Sequence, residues 1–533
     1  MSVLTDLSRR SLLSAIGGGA LTALLPAGMA GAVTAVTGFR QGVAEAAARD
    51  EALAAFYRAR DFEGIWSGEA EVVRRNAFLS ALTEAPDHAL PAGRHDPRAL
   101  IAMLQNAATP FEQGQAEVEL SRAFLRFAGD MKSGMLEPRA ANPHIFRDRA
   151  EHDRLDLMQG FARAMPVEFL RDLAPRSPEY ARLVRERLRL VALRDAGGWG
   201  PAVDAGRLEP GAEGGAVVAL RNRLIAMGYL EPTATRTYDR AMQAAVERFQ
   251  LAHGLAADGV AGEGTIAEVN TGVEDRLRSV IVAMERERWT NAPRGERHIW
   301  VNMCDFSACI VDHDQVTFRT RAVIGAVAEE RQSPEFSDEM EFMVINPSWY
   351  VPRSIIAREY LPQLQRNPNA ASHLRITDSQ GRVINRNAVN FANYNARNFP
   401  FAMHQPPSQN NALGIVKFMF PNAYDIYLHD TPAKDLFAHE VRAYSHGCIR
   451  LADPVGFAHA LLIRQTPDPE GFFDERLRTG AETRVDLEEH VPVHLDYRTA
   501  FTSVTGGVQF RRDVYGRDGD IWRALEAEGM ALA

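Results

Sequence analysis

The sequence predicts a multidomain α+β protein: an N-terminal α-helical scaffold, a small three-helix domain, and a mostly-β domain carrying a capping insertion. Three observations carry this reading. At 533 residues the chain is long for one hydrophobic core. Apolar positions recur at helical spacing from about Gln41 to Trp199, and after Trp289 they shift to the two-residue period of strands. Apolar residues make up 46% and charged residues 24%, the balance of a chain that buries a sizeable core. The formal charge is −9 with no basic block, which argues against a nucleic-acid partner.

The chain opens on Ser8-Arg9-Arg10-Ser11-Leu12-Leu13, an apolar run through Leu21 to Leu25 diluted by Gly17, Gly18 and Gly19, and the small residues Ala30-Gly31-Ala32. A basic start, a short apolar stretch and a small-residue cleavage site describe a signal peptide over 1–32, and the paired arginines favour the twin-arginine route. A periplasmic protein without a membrane span after signal removal is expected, and a monomer.

The helical scaffold is assigned to 36–202. Ala46 to Tyr57, Glu117 to Phe127 and Tyr180 to Leu193 are strong helix formers, separated by turns rich in proline and glycine. A compact segment, 205–272, follows the Gly197-Gly198-Trp199-Gly200-Pro201 linker. Leu220, Leu224, Val246, Phe249 and Leu255 form its helical core, with turn glycines at Gly259 and Gly262.

The β domain is assigned to 275–490. Strands are expected at His298–Asn302, Ala308–Val311, Thr317–Ile324, Met340–Ile345 and Ile415–Phe420. Between them, about 352–401, lies an asparagine-rich insertion with one helix from Ile355 to Leu361, ending near Pro362; so long an interruption fits a lid over a site. The tail, 491–533, alternates again and is expected to complete the β domain.

Only three cysteines occur. Cys304 and Cys309 could pair across a hairpin or simply be small buried residues; Cys448 is left odd, as a reactive thiol would be. It lies in Tyr444-Ser445-His446-Gly447-Cys448-Ile449-Arg450, nineteen residues after His429. Strand alternation puts Tyr427 and His429 on one face. A loop and a return strand would then bring Cys448 beside the imidazole that activates it. Gly447 permits close approach of a substrate carbonyl, and the amides there suit an oxyanion. Arg450 could hold a substrate carboxylate.

Ser445-His446-Gly447-Cys448 with His429 upstream resembles the signature of L,D-transpeptidases with the YkuD-type catalytic domain. The likeness extends through Asn346 to Pro352, Asn411 to Phe418 and Phe420 to Pro432, and matches a large periplasmic subgroup. The 205–272 segment resembles a peptidoglycan-binding domain. The resemblance implies a substrate, peptidoglycan stem peptides, and a route: Cys448 forms a thioester with the third stem residue, and a second stem's amine resolves it into a direct cross-link. It implies His429 as proton donor and acceptor, the Asp430 carbonyl orienting it, His446 and Gly447 shaping the oxyanion site, and Arg450, Tyr427, Trp349 and Ser445 binding the donor. No cofactor or metal is implied. Two other readings stay open: a zinc-dependent peptidoglycan amidase or peptidase using His429, His446 and Cys448 as ligands, and a non-catalytic wall-binding protein.

Overall fold

The computed structural model describes residues 37–291, 293–502 and 507–532. The signal-peptide segment 1–32 lies outside the described residues.

The helical region is built on Pro110–Ser133, which begins with a capping box: Thr109 accepts from the Glu112 amide while Glu112 reaches back to the Thr109 amide. Its inward face meets Val43, Phe56, Trp66, Phe78 and Phe161 in one large core. The stretch read as a single helix from Ala46 to Tyr57 is two, Gly38–Ala47 and Glu51–Arg58. Asp50 starts the second by accepting from the Leu53 amide, which is the geometry of an N-cap and not of a helix interior.

Three helices, Gly215–Ala226, Arg240–Ala252 and Glu263–Asn270, enclose a separate small core around Leu220, Leu224, Val246 and Phe249. The next helix, Val273–Trp289, falls at the start of the expected β domain. It packs instead with Pro178–Asp195 and the helical core, to which it contributes Leu277, Val280, Ile281, Met284 and Trp289.

Nine strands form the main sheet, in the order Ala443–Ser445, Gln315–Gly325, Ile449–Leu451, Leu428–His429, Val416–Met419, Phe336–Ile345, Thr483–Asp496, Arg297–Asn302, Ser307–Asp312. Gln315–Gly325 also pairs with Ser307–Asp312, so the sheet closes on itself around Ile299, Met343, Phe418, Leu428, Ile449 and Leu495. Closure covers the long edges and leaves the three-residue strand Ala443–Ser445 with one neighbour. Helices Pro454–Leu462 and Pro469–Arg478 pack onto this core through Phe457, Leu461 and Phe473.

The insertion has a core of its own. Trp349–Tyr350, Ala402–Gln405 and Arg375–Thr377 make a three-stranded sheet, and Ile355, Leu361, Leu364, Leu374, Phe391 and Phe399 fill the space beneath it. Its helix does not stop at Pro362. It runs from Arg353 to Arg366, with a π turn over Ile356–Tyr360 immediately before the proline. A proline removes one amide and crowds the preceding turn, and the wider π turn accommodates it. The asparagines make local turns: Asn385 accepts from the Asn387 amide and Asn390 from the Ala392 amide.

The tail departs from expectation. Thr483–Asp496 is a full strand of the main sheet, but Ala500, Phe510, Ile521, Trp522 and Leu525 join the helical core. The short hairpin Ala500–Thr502 with Val508–Phe510 and the helix Arg517–Ala527 therefore tie the β domain back to the scaffold. Cys304 and Cys309 are buried and free. Cys304 sits in the turn after Arg297–Asn302 while Cys309 faces Trp300 in the ladder, so the two do not oppose one another.

Candidate active site

The sheet brings the motif residues together by register. Ile449–Leu451 runs parallel to Leu428–His429, pairing Arg450 with His429, and Lys417 pairs with His429 from the other side. The Ile449 amide donates to the Tyr427 carbonyl at 3.1 Å, which fixes Cys448 at the mouth of the strand. Cys448, His429, Tyr427, Arg450, Ser445, His446 and Trp349 all line one cavity of about 740 Å³ between the β domain and the insertion.

His429 is buried at the end of a two-residue strand, much shorter than its alternating sequence suggested. Its Nδ1 lies 2.5 Å from the Asp430 carbonyl, and since a carbonyl only accepts, Nδ1 carries the proton and Nε2 keeps its lone pair. Asp430 is itself pinned: its amide donates to Val416, and its carboxylate accepts from Lys434 at 2.6 Å and from the Ile415 amide at 2.9 Å. Gly414 makes room for that carboxylate, since a Cβ there would stand 2.1 Å from Asp430 Oδ2. Burial, and then the Arg450 cation, push the imidazole down to about 3. It is a neutral base at physiological pH.

Burial likewise pushes the Cys448 thiol up to about 11, against contacts from Tyr427 and the pull of Arg450. The thiol donates to the Asp425 carbonyl at 3.6 Å, and no hydrogen bond joins it to His429. With these shifts the thiol and the imidazole share one cavity as neutral groups. Burial lowers the Arg450 pKa, its Nε has no hydrogen-bond partner, and among the described residues it forms no ion pair with a carboxylate. A half-buried guanidinium left in this state is a ready receptor for an anion.

Three expected roles change. Gly447, at φ +116°, takes the left-handed backbone the turn requires, but its amide donates to Ser445 Oγ at 3.2 Å and is not free for an oxyanion. Ser445 is buried, and its hydroxyl donates to the Cys448 carbonyl at 2.6 Å, so it shapes the turn and has no donor left for a substrate. The His446 ring meets Glu359 of the insertion at 2.5 Å, where Glu359 also accepts from Arg331 at 2.8 Å. These partners lie 87 and 28 residues from Glu359, which is why no local motif announced it. Trp349 lies on the insertion's sheet with its ring edge-on to Tyr360. The zinc reading would need His429, His446 and Cys448 to converge; among the described residues no group of three or more His, Cys, Asp or Glu is placed to hold a metal ion.

Fold and site together define a multidomain α+β protein with a cysteine–histidine pocket between a closed sheet and a cap. Residues 296–470 match the family model of the YkuD L,D-transpeptidase catalytic domain, 213–268 that of a "Putative peptidoglycan binding domain", and 51–186 that of a scaffold domain. The chain thus carries a YkuD L,D-transpeptidase catalytic domain joined to a peptidoglycan-binding domain and a scaffold domain. A curated protein of Haemophilus influenzae named "Putative L,D-transpeptidase" is 28% identical over 242 residues, 45% of this chain and 48% of that protein. The chain spans about half the length of that relative. A solved L,D-transpeptidase of Xylanimonas cellulosilytica aligns with 56% of this chain and 100% of its own at 17% identity, with a TM-score of 0.17.

Proposed function

We propose that this protein is a peptidoglycan L,D-transpeptidase that joins third residues of stem peptides through a thioester on Cys448. The observation that carries this reading is the cavity itself: a lone thiol, a neutral buried imidazole with a free Nε2, and an unpaired guanidinium in one pocket.

In the first half-reaction Cys448 sulfur bonds to the carbonyl carbon of the third stem residue as His429 Nε2 takes the thiol proton. The carbonyl becomes an oxyanion. Its collapse breaks the C–N bond to the terminal D-alanine, and His429 returns the proton to the leaving amine. In the second, the side-chain amine of another stem attacks the thioester carbonyl, His429 removes an amine proton, and the restored thiol leaves. The carboxylate of the terminal D-alanine is the anion that suits Arg450. Because thiol and imidazole start neutral, proton transfer accompanies attack and does not precede it. The peptidoglycan-binding domain supports a polymeric wall substrate, hence work in the periplasm. Among the described residues no helix is long and apolar enough to cross a membrane.

The test is turnover of a disaccharide tetrapeptide with release of D-alanine. Wild type should be active in the presence of a chelator, while Cys448→Ala and alkylated wild type should be inactive. Activity retained in Cys448→Ala would refute the mechanism, and loss to the chelator would favour a zinc peptidase. Arg450→Met should raise KM for the tetrapeptide by about ten-fold or more, the worth of one charge-assisted hydrogen bond to a carboxylate.

A further inference from the structure

The turn that presents Cys448 is held from outside the motif. Ser333, fully buried, donates its hydroxyl to the Gly447 carbonyl at 2.6 Å and accepts from the Gly325 amide at 2.9 Å. Two residues of the C-terminal segment grip Ser333 in turn. Arg517, fully buried, donates to the Ser333 carbonyl at 2.6 Å. The Tyr515 hydroxyl donates to the Gly325 carbonyl at 2.6 Å and receives the Ser333 amide at 3.4 Å.

The consequence follows from peptide geometry. The Gly447 carbonyl and the Cys448 N–H belong to one planar trans unit and point in opposite directions. Fixing the carbonyl onto Ser333 therefore fixes the Cys448 N–H away from Ser333. The Ser445 hydroxyl fixes the next peptide through the Cys448 carbonyl at 2.6 Å. Among the described residues no acceptor meets the Cys448 N–H, whereas the Gly447 N–H is already engaged.

We propose that Ser333 is a positioning residue for acyl transfer: its hydroxyl locks the Gly447–Cys448 peptide so that the Cys448 N–H faces the developing oxyanion, and Tyr515 and Arg517 hold Ser333 in place. The C-terminal segment, which packs with the scaffold, is then part of the catalytic frame. This rests on the acyl-transfer reading above, and the test separates the two.

Two rates on one thiol distinguish a role in aiming the amide from a merely structural one. Acylation by a disaccharide tetrapeptide creates an oxyanion; displacement at iodoacetamide does not. In Ser333→Ala, acylation of Cys448 should fall about ten-fold or more, the scale of a misaligned oxyanion donor, with alkylation within two-fold of wild type. Tyr515→Phe, which removes one hydroxyl and no volume, should shift acylation in the same direction by a smaller factor. Acylation unchanged in both variants, or acylation and alkylation falling together with the melting temperature, overturns the proposal while leaving the acyl-transfer reading intact. Should Ser333→Ala fail to fold, Tyr515→Phe decides by the same two rates. A wild-type protein that alkylates but never acylates overturns both.

Discussion

A half-buried thiol and a buried imidazole that both stay neutral set the chemistry at the residue scale. Nucleophilic attack on a simple alkylating agent needs thiolate, and the thiol has been pushed up to about 11. The rate of Cys448 alkylation in the free protein should therefore climb about ten-fold per pH unit from neutrality to beyond pH 9, past the range of about 8.5 where an ordinary thiol levels off. A plateau between pH 6 and 8 would instead mean a preformed thiolate–imidazolium pair. His429→Ala should leave that profile nearly unmoved yet abolish acyl transfer, since the imidazole receives the proton only as the sulfur attacks. Cys448 and His429 were legible as candidates because strand alternation gives the histidine a face and a short return brings the cysteine back towards it, whereas the Asp430 carbonyl was legible only through the family resemblance. Ser333 and Glu359 were not, because they reach the site across 114 and 87 residues and nothing around them in the chain marks the contact.

Elements decide access. The insertion was legible as a break in strand rhythm, but not as a body with its own core, because its apolar residues are scattered among asparagines that make single turns. Its helix meets the catalytic motif through Glu359, shared by His446 and Arg331. These groups are each about a third exposed, so solvent screens the contact and its worth is on the order of 1 kcal/mol or less. Glu359→Gln should then raise amide exchange over Arg353–Arg366 by a few-fold without altering exchange in the main sheet. Unchanged exchange there would mean that apolar packing alone seats the helix. Val273–Trp289, at the start of the expected β domain, is a helix whose four consecutive charges Glu285, Arg286, Glu287 and Arg288 are all buried. Glu285 accepts from the Met135 and Leu136 amides, Arg286 meets Glu335 and Asp518, and Glu287 meets Ser177 and Arg498. Composition alone cannot tell a charge that faces water from one that meets a partner in another domain.

Across the whole molecule, buried charge joins scaffold, sheet and tail. Asp496, at the end of its strand, pairs with Arg147 from the helical region. Burial opposes its ionisation, but Arg147, Arg498 and Arg294 outweigh that and hold the carboxyl well below the usual range. A carboxyl depressed in the folded state contributes stability that is present above about pH 4 and lost as pH falls through its folded value. Asp496→Asn should destabilise the protein by about 3–5 kcal/mol at neutral pH in denaturant unfolding, because it leaves buried arginines uncompensated. The penalty should shrink on acidification, and a penalty independent of pH would assign Asp496 a packing role. The same joinery explains why the tail could not be assigned from its alternation: period 2 identifies a strand but not the sheet or core it joins.

Acyl transfer through Cys448 is read most directly from the intact mass of the protein during incubation with a disaccharide tetrapeptide. The thioester route predicts a covalent adduct equal to the donor less D-alanine, on Cys448, absent in Cys448→Ala and discharged when an acceptor amine is added. Release of D-alanine with no adduct at any time, or an adduct that survives in Cys448→Ala, would contradict it.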